Sequence, residues 1–284
     1  MQVTWLFPGL FVVLWSTGFI GAKLGLPYVE PFTFLSLRFL FVLAILLPLC
    51  WLSRAPWPNR QGVGHMAVAG VLMQAGYLGG VFASMHHGMP AGVSALITGL
   101  QPVFTAVLGG WLLHERTSLR QWSGFGLGLL GVALVVGDRI AVHNLTLPAI
   151  LLSALALASI TLGTIWQKRH GGAIDLRAGA AIQFAAAAVV LAPFAFLLET
   201  REVRWTGEFA FALAWLVLVL SLGAIFLLLY LIRHGAATRV ASLFYLVPPT
   251  TALIAWPLFG ESYSMLAAAG MGLGMLAVWL VTKP

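Results

Sequence analysis

The chain has 284 residues, 61% of them hydrophobic and 8% charged, with a mean hydropathy of +0.98. A soluble domain is about half apolar and about a quarter charged because its surface faces water. With 15 basic and 8 acidic residues, a soluble enzyme, a nucleic-acid binder and a disordered regulator are excluded, and the solvent is expected to be lipid.

A helix needs about 20 mostly apolar residues to cross the hydrocarbon core. The predicted spans, in chain order, are Thr4–Leu24, Pro31–Leu52, Gly64–Met85, Gly92–Leu113, Leu119–Val136, Leu147–Trp166, Leu176–Leu198, Phe209–Ile232, Val240–Phe259 and Met265–Thr282. The connections are short and loop-like, such as Asp138-Arg139 and Gly171-Gly172. The expected fold is therefore all-α integral membrane, not a β-barrel. The first apolar run has span length and no basic leader, so no cleavable signal peptide is expected. Cys50, the single cysteine, rules out an internal disulfide framework and a Cys-based metal site. No cofactor and no metal are expected.

Polar groups inside spans carry most of the functional information. In the first span Trp15 and Ser16 lie at mid-depth, and Trp15 forms a pocket wall or packs on a neighbouring helix. Arg38 sits about seven residues into the second span. It is either a structural anchor that snorkels to the nearer surface or a contact for a substrate carboxylate. Gln74, Tyr77 and Val81 share a stripe of the third span. In the fourth, Ser94, Thr98, Gln101 and Thr105 fall on one helical face. Pro102 removes the hydrogen bond that would reach the Thr98 carbonyl, leaving an acceptor that a substrate ammonium could use. The alternative is that the hydroxyls satisfy their own helices and the proline only bends the chain. The sixth span places Ser159, Thr161 and Thr164 at mid-depth, and the eighth offers Ser221 and Tyr230. In the ninth, Pro248 and Pro249 free the carbonyls of Phe244 and Tyr245. The candidate substrate-binding residues are thus Trp15, Ser16, Gln74, Tyr77, Thr98, Gln101, Ser159, Thr164 and Tyr245, with Pro102, Pro248 and Pro249 as helix hinges.

Tryptophans near span ends, such as Trp51, Trp57, Trp122, Trp205 and Trp279, read as interfacial anchors. The pairs Gly21-xxx-Gly25, Gly76-xxx-Gly80, Gly124-xxx-Gly128 and Gly270-xxx-Gly274 permit close helix approach, inside the molecule or at a dimer seam. Glu115 and Glu261 close the fourth and ninth spans at equivalent positions, where helix termination is their expected role.

The two halves repeat each other. His87-Gly88 and Pro102 match His234-Gly235 and Pro249, and the glycine run at Gly124, Gly126 and Gly128 matches Gly270, Gly272 and Gly274. Gly18, Lys23 and Pro48 match Gly163, Lys168 and Pro193. Repeat boundaries are expected at 1–143 and 144–284. Five spans per half is an odd number, so the second half is inverted, an arrangement that in transporters holds substrate near the midplane. With the N-terminus inside, 10 of the 15 basic residues fall on the cytoplasmic side and four opposite, which predicts cytoplasmic termini.

The residues Phe34 to Phe39, with Leu37-Arg38-Phe39, resemble a motif of EamA-type members of the drug/metabolite transporter superfamily. So do Leu14 to Gly18 in the first span, and the block Ala95 to Leu134 with Gln101-Pro102-Val103-Phe104 and Glu115-Arg116. The resemblance covers essentially the whole chain. It implies ten helices in two repeats and an exporter of the inner membrane, similar to bacterial amino-acid exporters, including the aromatic amino-acid branch. The function expected is a secondary transporter that exports small metabolites, amino acids foremost, by alternating access. A drug or sugar/nucleotide-type carrier and a channel-like scaffold are the alternatives. The expected partners are a small-molecule substrate and the bilayer, with the protein a monomer or weak homodimer and no nucleic acid bound. No nucleotide-binding motif is present, and no Asp or Glu lies in mid-span, which disfavours a carboxylate proton relay.

Overall fold

The computed structural model describes residues 6–112, 118–143, 145–172, 174–224, 227 and 246–282. These form ten helical spans: α1 (Leu6–Gly25), α2 (Pro31–Leu52), α3 (Arg60–His86), α4 (Ala91–Gly99, then Gln101–Leu112), α5 (Leu119–His143), α6 (Leu147–His170), α7 (Leu176–Leu198), α8 (Gly207–Ala224), α9 (Val247–Phe259) and α10 (Met265–Thr282). Among the described residues α2, α3, α6, α7 and α8 are long and apolar enough to cross a bilayer, and the other five present shorter apolar stretches. Tyr230, Tyr245, Phe244 and Glu115 lie outside the described residues.

Helix starts follow their caps. Pro31 opens α2, where its missing N–H leaves no bond unmade. α3 starts a turn earlier than hydropathy predicts because Asn59 Oδ1 accepts from the Gly62 N–H at 2.8 Å. Asp175 caps α7 in the same way, accepting from the Arg177 N–H at 2.9 Å. α9 ends at Gly260, whose φ of 66° lies in the left-handed region that glycine adopts without strain.

Three departures from a regular α-helix shape the centre of the molecule. α3 widens to a π-helix over Val71–Gly76, and α8 does so over Trp215–Ala224. α4 is interrupted at Leu100, two residues before Pro102, and the Leu100 N–H turns back to the Ile97 carbonyl at 3.2 Å. Pro248 and Pro249 occupy the first turn of α9. Pro102 and Pro249, equivalent in the repeat, thus both stand in the first turn of a helical segment.

Packing follows the duplication. α2 packs on α7, α4 on α9 and α5 on α10, each helix against its own equivalent, while α1 on α8 answers α6 on α3. This reciprocity is what two equivalent halves packed against each other produce. At the α5–α10 crossing, a Cβ added to Gly131 would lie 2.6 Å from the Gly270 carbonyl oxygen, and one added to Gly270 equally close to that of Gly131. The other spaced glycines also meet this chain's own atoms: Gly21 faces Leu216, Gly76 faces Ser159, Gly80 faces Leu152 and Ala156, and Gly274 faces Leu96. Leu40, Phe41, Val189, Phe196 and Leu253 remain exposed on the outside, where acyl chains replace water as solvent. Trp51, Trp57, Trp122 and Trp205 are exposed near helix ends.

Candidate functional site

A cavity of about 120 Å³ lies between helices of both repeats. Trp15, Gly18 and Phe19 of α1, Arg38 of α2, and Met73, Gln74, Tyr77, Leu78, Val81 and Phe82 of α3 form the wall from the first repeat. Ile160 of α6, Phe184 of α7, and Leu220 and Ser221 of α8 complete it from the second. The two π-helical turns supply facing pairs: Met73-Gln74 and Leu220-Ser221 stand 147 residues apart. A π turn swings side chains away from the regular helical stripe, and such turns are frequent at functional sites.

Arg38 is the charged residue of this wall and is 6% exposed. It lies roughly 10 Å along α2 from the helix start at 1.5 Å per residue, inside a hydrocarbon core about 30 Å thick. Its Nε and Nη2 donate to one oxygen, Ser221 Oγ, at 3.2 and 3.0 Å. Ser221 in turn donates to the Leu216 carbonyl five residues back, at 3.0 Å. Among the described residues Arg38 has no carboxylate partner; the ion pairs there are Lys23–Glu261 and Arg177–Asp175. The Tyr77 hydroxyl lies beside Thr98 and near the Arg38 charge.

Of the sequence candidates, Trp15, Arg38, Gln74 and Tyr77 meet at this cavity. Tyr245 lies outside the described residues, and Ser16, Thr98, Gln101, Ser159 and Thr164 do not line this wall. Gln101 Nε2 donates to Thr164 Oγ1 at 2.9 Å, and Thr164 donates to the Ile160 carbonyl at 2.7 Å, so the pair ties α4 to α6 behind a wall residue. Thr98 donates to the Ser94 carbonyl at 2.8 Å. The Ser94 and Thr105 hydroxyls are buried with no hydrogen-bond partner among the described residues. Ser16 bonds the Val12 carbonyl at 2.7 Å and reaches the Val247 carbonyl at 3.4 Å, joining α1 to the start of α9. Ser159 packs against Gly76 beside the π turn. Ser221 stands out in the sequence as a polar group of the eighth span but not as a substrate-binding candidate, and Phe19 and Phe184 do not stand out from other apolar residues. The signal for Ser221 is its repeat equivalence to Gln74.

At the Lys23 end of the molecule, acids from the second repeat sit on helix starts of the first. Glu199 accepts from the Phe32 and Thr33 N–H groups at 2.7 Å each, and Glu30 returns the contact by accepting from the Thr200 N–H at 2.6 Å. Glu261 takes the start of α4, accepting from Ala91 N–H at 2.8 Å and from the Tyr263 hydroxyl at 2.5 Å, and pairs with Lys23 of α1. Gly260, not Glu261, therefore terminates α9, and Glu261 instead joins three chain segments. Burial pushes its carboxyl up, but the bonds from Lys23, Tyr263 and Ala91 outweigh that and hold it below the usual carboxylate range. Glu30 is held low by the Thr200 hydroxyl and N–H, and Asp175 by the Arg177 side chain. Among the described residues no group of three or more His, Cys, Asp or Glu could hold a metal ion.

Ten helical spans in two repeats, with a cavity drawn from both and one cation on its wall, define a multi-pass membrane transporter. The chain belongs to the EamA-like transporter family, whose profile matches residues 5–137 and 147–283. It is 26% identical to "Uncharacterized inner membrane transporter YedA" of Escherichia coli (strain K12), covering 99% of this chain and 92% of that one. It is 25% identical to "Probable amino-acid metabolite efflux pump" of Salmonella typhimurium (strain LT2), covering 95% and 92%. A solved crystal structure aligns at a TM-score of 0.66 and 19% identity over 97% of this chain and 94% of that one, a likeness of fold. As a member of this family the chain is a transporter and not an enzyme.

Proposed function

We propose that the protein is a secondary transporter that exports small carboxylate-bearing metabolites of the amino-acid class across the cytoplasmic membrane. It works by alternating access about the cavity between two inverted repeats, 1–143 and 144–284, as a monomer or weak homodimer with both termini cytoplasmic. The observation that carries this reading is Arg38: a buried guanidinium on the wall of a cavity that both repeats share, with no described carboxylate to neutralise it. Arg presents a planar fork that matches a carboxylate, and Gln74 and Tyr77 add neutral donors and acceptors beside it. The name of the Salmonella relative points to the same class.

Counterflow in proteoliposomes with labelled amino acids and related carboxylates, sugars and cationic drugs tests the reading. Carboxylates exchange and the other two classes do not. Exchange of sugars or cations alone rejects it. A reporter fused at Pro284 is active only for a cytoplasmic reporter; a periplasmic signal rejects the orientation.

A further inference from the structure

We propose that the species carried is a monoanionic carboxylate with an apolar body, the deaminated 2-oxo or 2-hydroxy relative of an amino acid in preference to the zwitterion, and that the membrane potential alone drives its export. This rests on the carrier reading of the cavity and adds to it the charge of the cargo and the source of energy.

Among the described residues the cavity wall carries one cation and no acid. A guanidinium has five N–H donors in a fixed fork, and the described bonds from Nε and Nη2 both end on Ser221 Oγ. The Nη1 donors have no acceptor among the described residues. A buried charge is stable when it is paired and hydrogen-bonded. A carboxylate anion makes the loaded cavity neutral. A zwitterion adds no net charge, so the loaded cavity stays cationic, and its ammonium sits two bonds from the carboxylate, facing Arg38 with no wall acid to receive it. Gln74 and Tyr77 are placed to bond a 2-oxo or 2-hydroxy oxygen. The rest of the wall, Trp15, Phe19, Phe82 and Phe184, suits a compact apolar body.

The cargo's charge then settles the energetics. An anion leaving a compartment that is negative inside moves down the field, one charge per turnover, and no coupling ion is required. None of the acids Glu30, Glu115, Asp138, Asp175, Glu199, Glu202, Glu208 and Glu261 falls at mid-span in the sequence. Asp138 lies in the last turns of α5 and Glu208 in the first turn of α8, so no carboxylate at mid-span is available to carry a coupling proton. One charge per turnover sets a tenfold gradient for each potential step of about 59 mV.

The test uses the full-length protein in proteoliposomes with potentials set by potassium and valinomycin. The probes are labelled 4-methyl-2-oxopentanoate against leucine, and phenylpyruvate against phenylalanine. Each oxo acid exchanges at least about tenfold faster than its amino acid, because the zwitterion's ammonium is left unmet in a buried site. The steady-state oxo-acid gradient shifts about tenfold per 59 mV. Arg38→Gln abolishes the preference, and Ser221→Ala, which keeps the cation, preserves the voltage slope at an altered rate. The parent's slope carries the test even where Arg38→Gln does not fold. Leucine moving as fast as its oxo acid, or an oxo-acid gradient that ignores the potential, overturns the inference and leaves the carrier reading standing. No flux of any of the four compounds overturns both.

Discussion

At Gln101 a single amide joins the two repeats. Its bond to Thr164, and that of Thr164 to the Ile160 carbonyl, run from α4 to a side chain of the cavity wall. A hydrogen bond of this kind contributes about 0.5–1.5 kcal/mol net, too little to decide folding but enough to set where Ile160 stands. Gln101→Ala and Thr164→Val are each expected to lower transport severalfold with little change in melting temperature. The double variant falls no further than either single one, because both changes break one bridge. Additive losses in a counterflow assay would mean that the two side chains act separately. At this scale the sequence indicates Arg38, Gln74, Tyr77 and Trp15 because a polar or aromatic group at mid-depth in an apolar span needs a reason. It does not distinguish Gln101, which bonds across helices, from Gln74, which faces the cavity, since both are amides at similar depth. Only the neighbouring helix decides that.

α5 and α10 meet where two glycines let their backbones touch. Gly131→Val places two methyls where a Cβ already stands 2.6 Å from the Gly270 carbonyl oxygen. Backbone cannot yield as a side-chain tip does, and overpacking of this kind costs about 1–3 kcal/mol or more. The expected result is a marked loss of folded yield, read by size-exclusion chromatography in detergent, whereas Gly126→Val, with nothing within 4 Å of its Cβ, keeps the parent's yield. Equal yields would refute the crossing. The spaced glycines Gly124, Gly128, Gly270 and Gly274 mark these two helices in the sequence, but Gly131 falls outside their spacing. The π turns of α3 and α8 are not legible either. They lie at Val71–Gly76 and Trp215–Ala224, where Gln74 and Ser221 line one cavity, and no residue pattern encodes them on its own.

Across the whole molecule, the Lys23 end is tied together by carboxylates of the second repeat on helix starts of the first. Glu261 does most, binding Lys23, Tyr263 and the start of α4. Its folded pKa lies below the usual range, so its stabilisation is complete above the unfolded value near 4.3 and is lost as pH falls through the folded one. Glu30 and Asp175 shift in the same direction and add to the same acid limb. The melting temperature in detergent is expected to hold level from pH 8 to 6 and to fall below about pH 4.3. Glu261→Gln lowers it at pH 7 by the equivalent of about 1–3 kcal/mol, the penalty for buried donors left unmet, because the Lys23 side chain is 30% exposed and keeps partial access to solvent. It also flattens part of the acid limb. Identical curves for variant and parent would show that Glu261 holds nothing together.

Composition and periodicity by themselves determined that the chain lives in lipid, that it crosses ten times and that its halves repeat. Those properties are set by transfer of each segment from water, residue by residue, and need no knowledge of neighbours. What gathers at the centre was decided by tertiary structure alone. Arg38 reaches Ser221 across 183 residues, and Lys23 reaches Glu261 across 238. Inside a bilayer the apolar faces of a helix look alike to the hydrophobic effect, because lipid tails are as apolar as leucine. Which face turns inward is therefore settled by close packing at glycines and by the few polar groups that must find one another, and those partners exist only once the two repeats have docked.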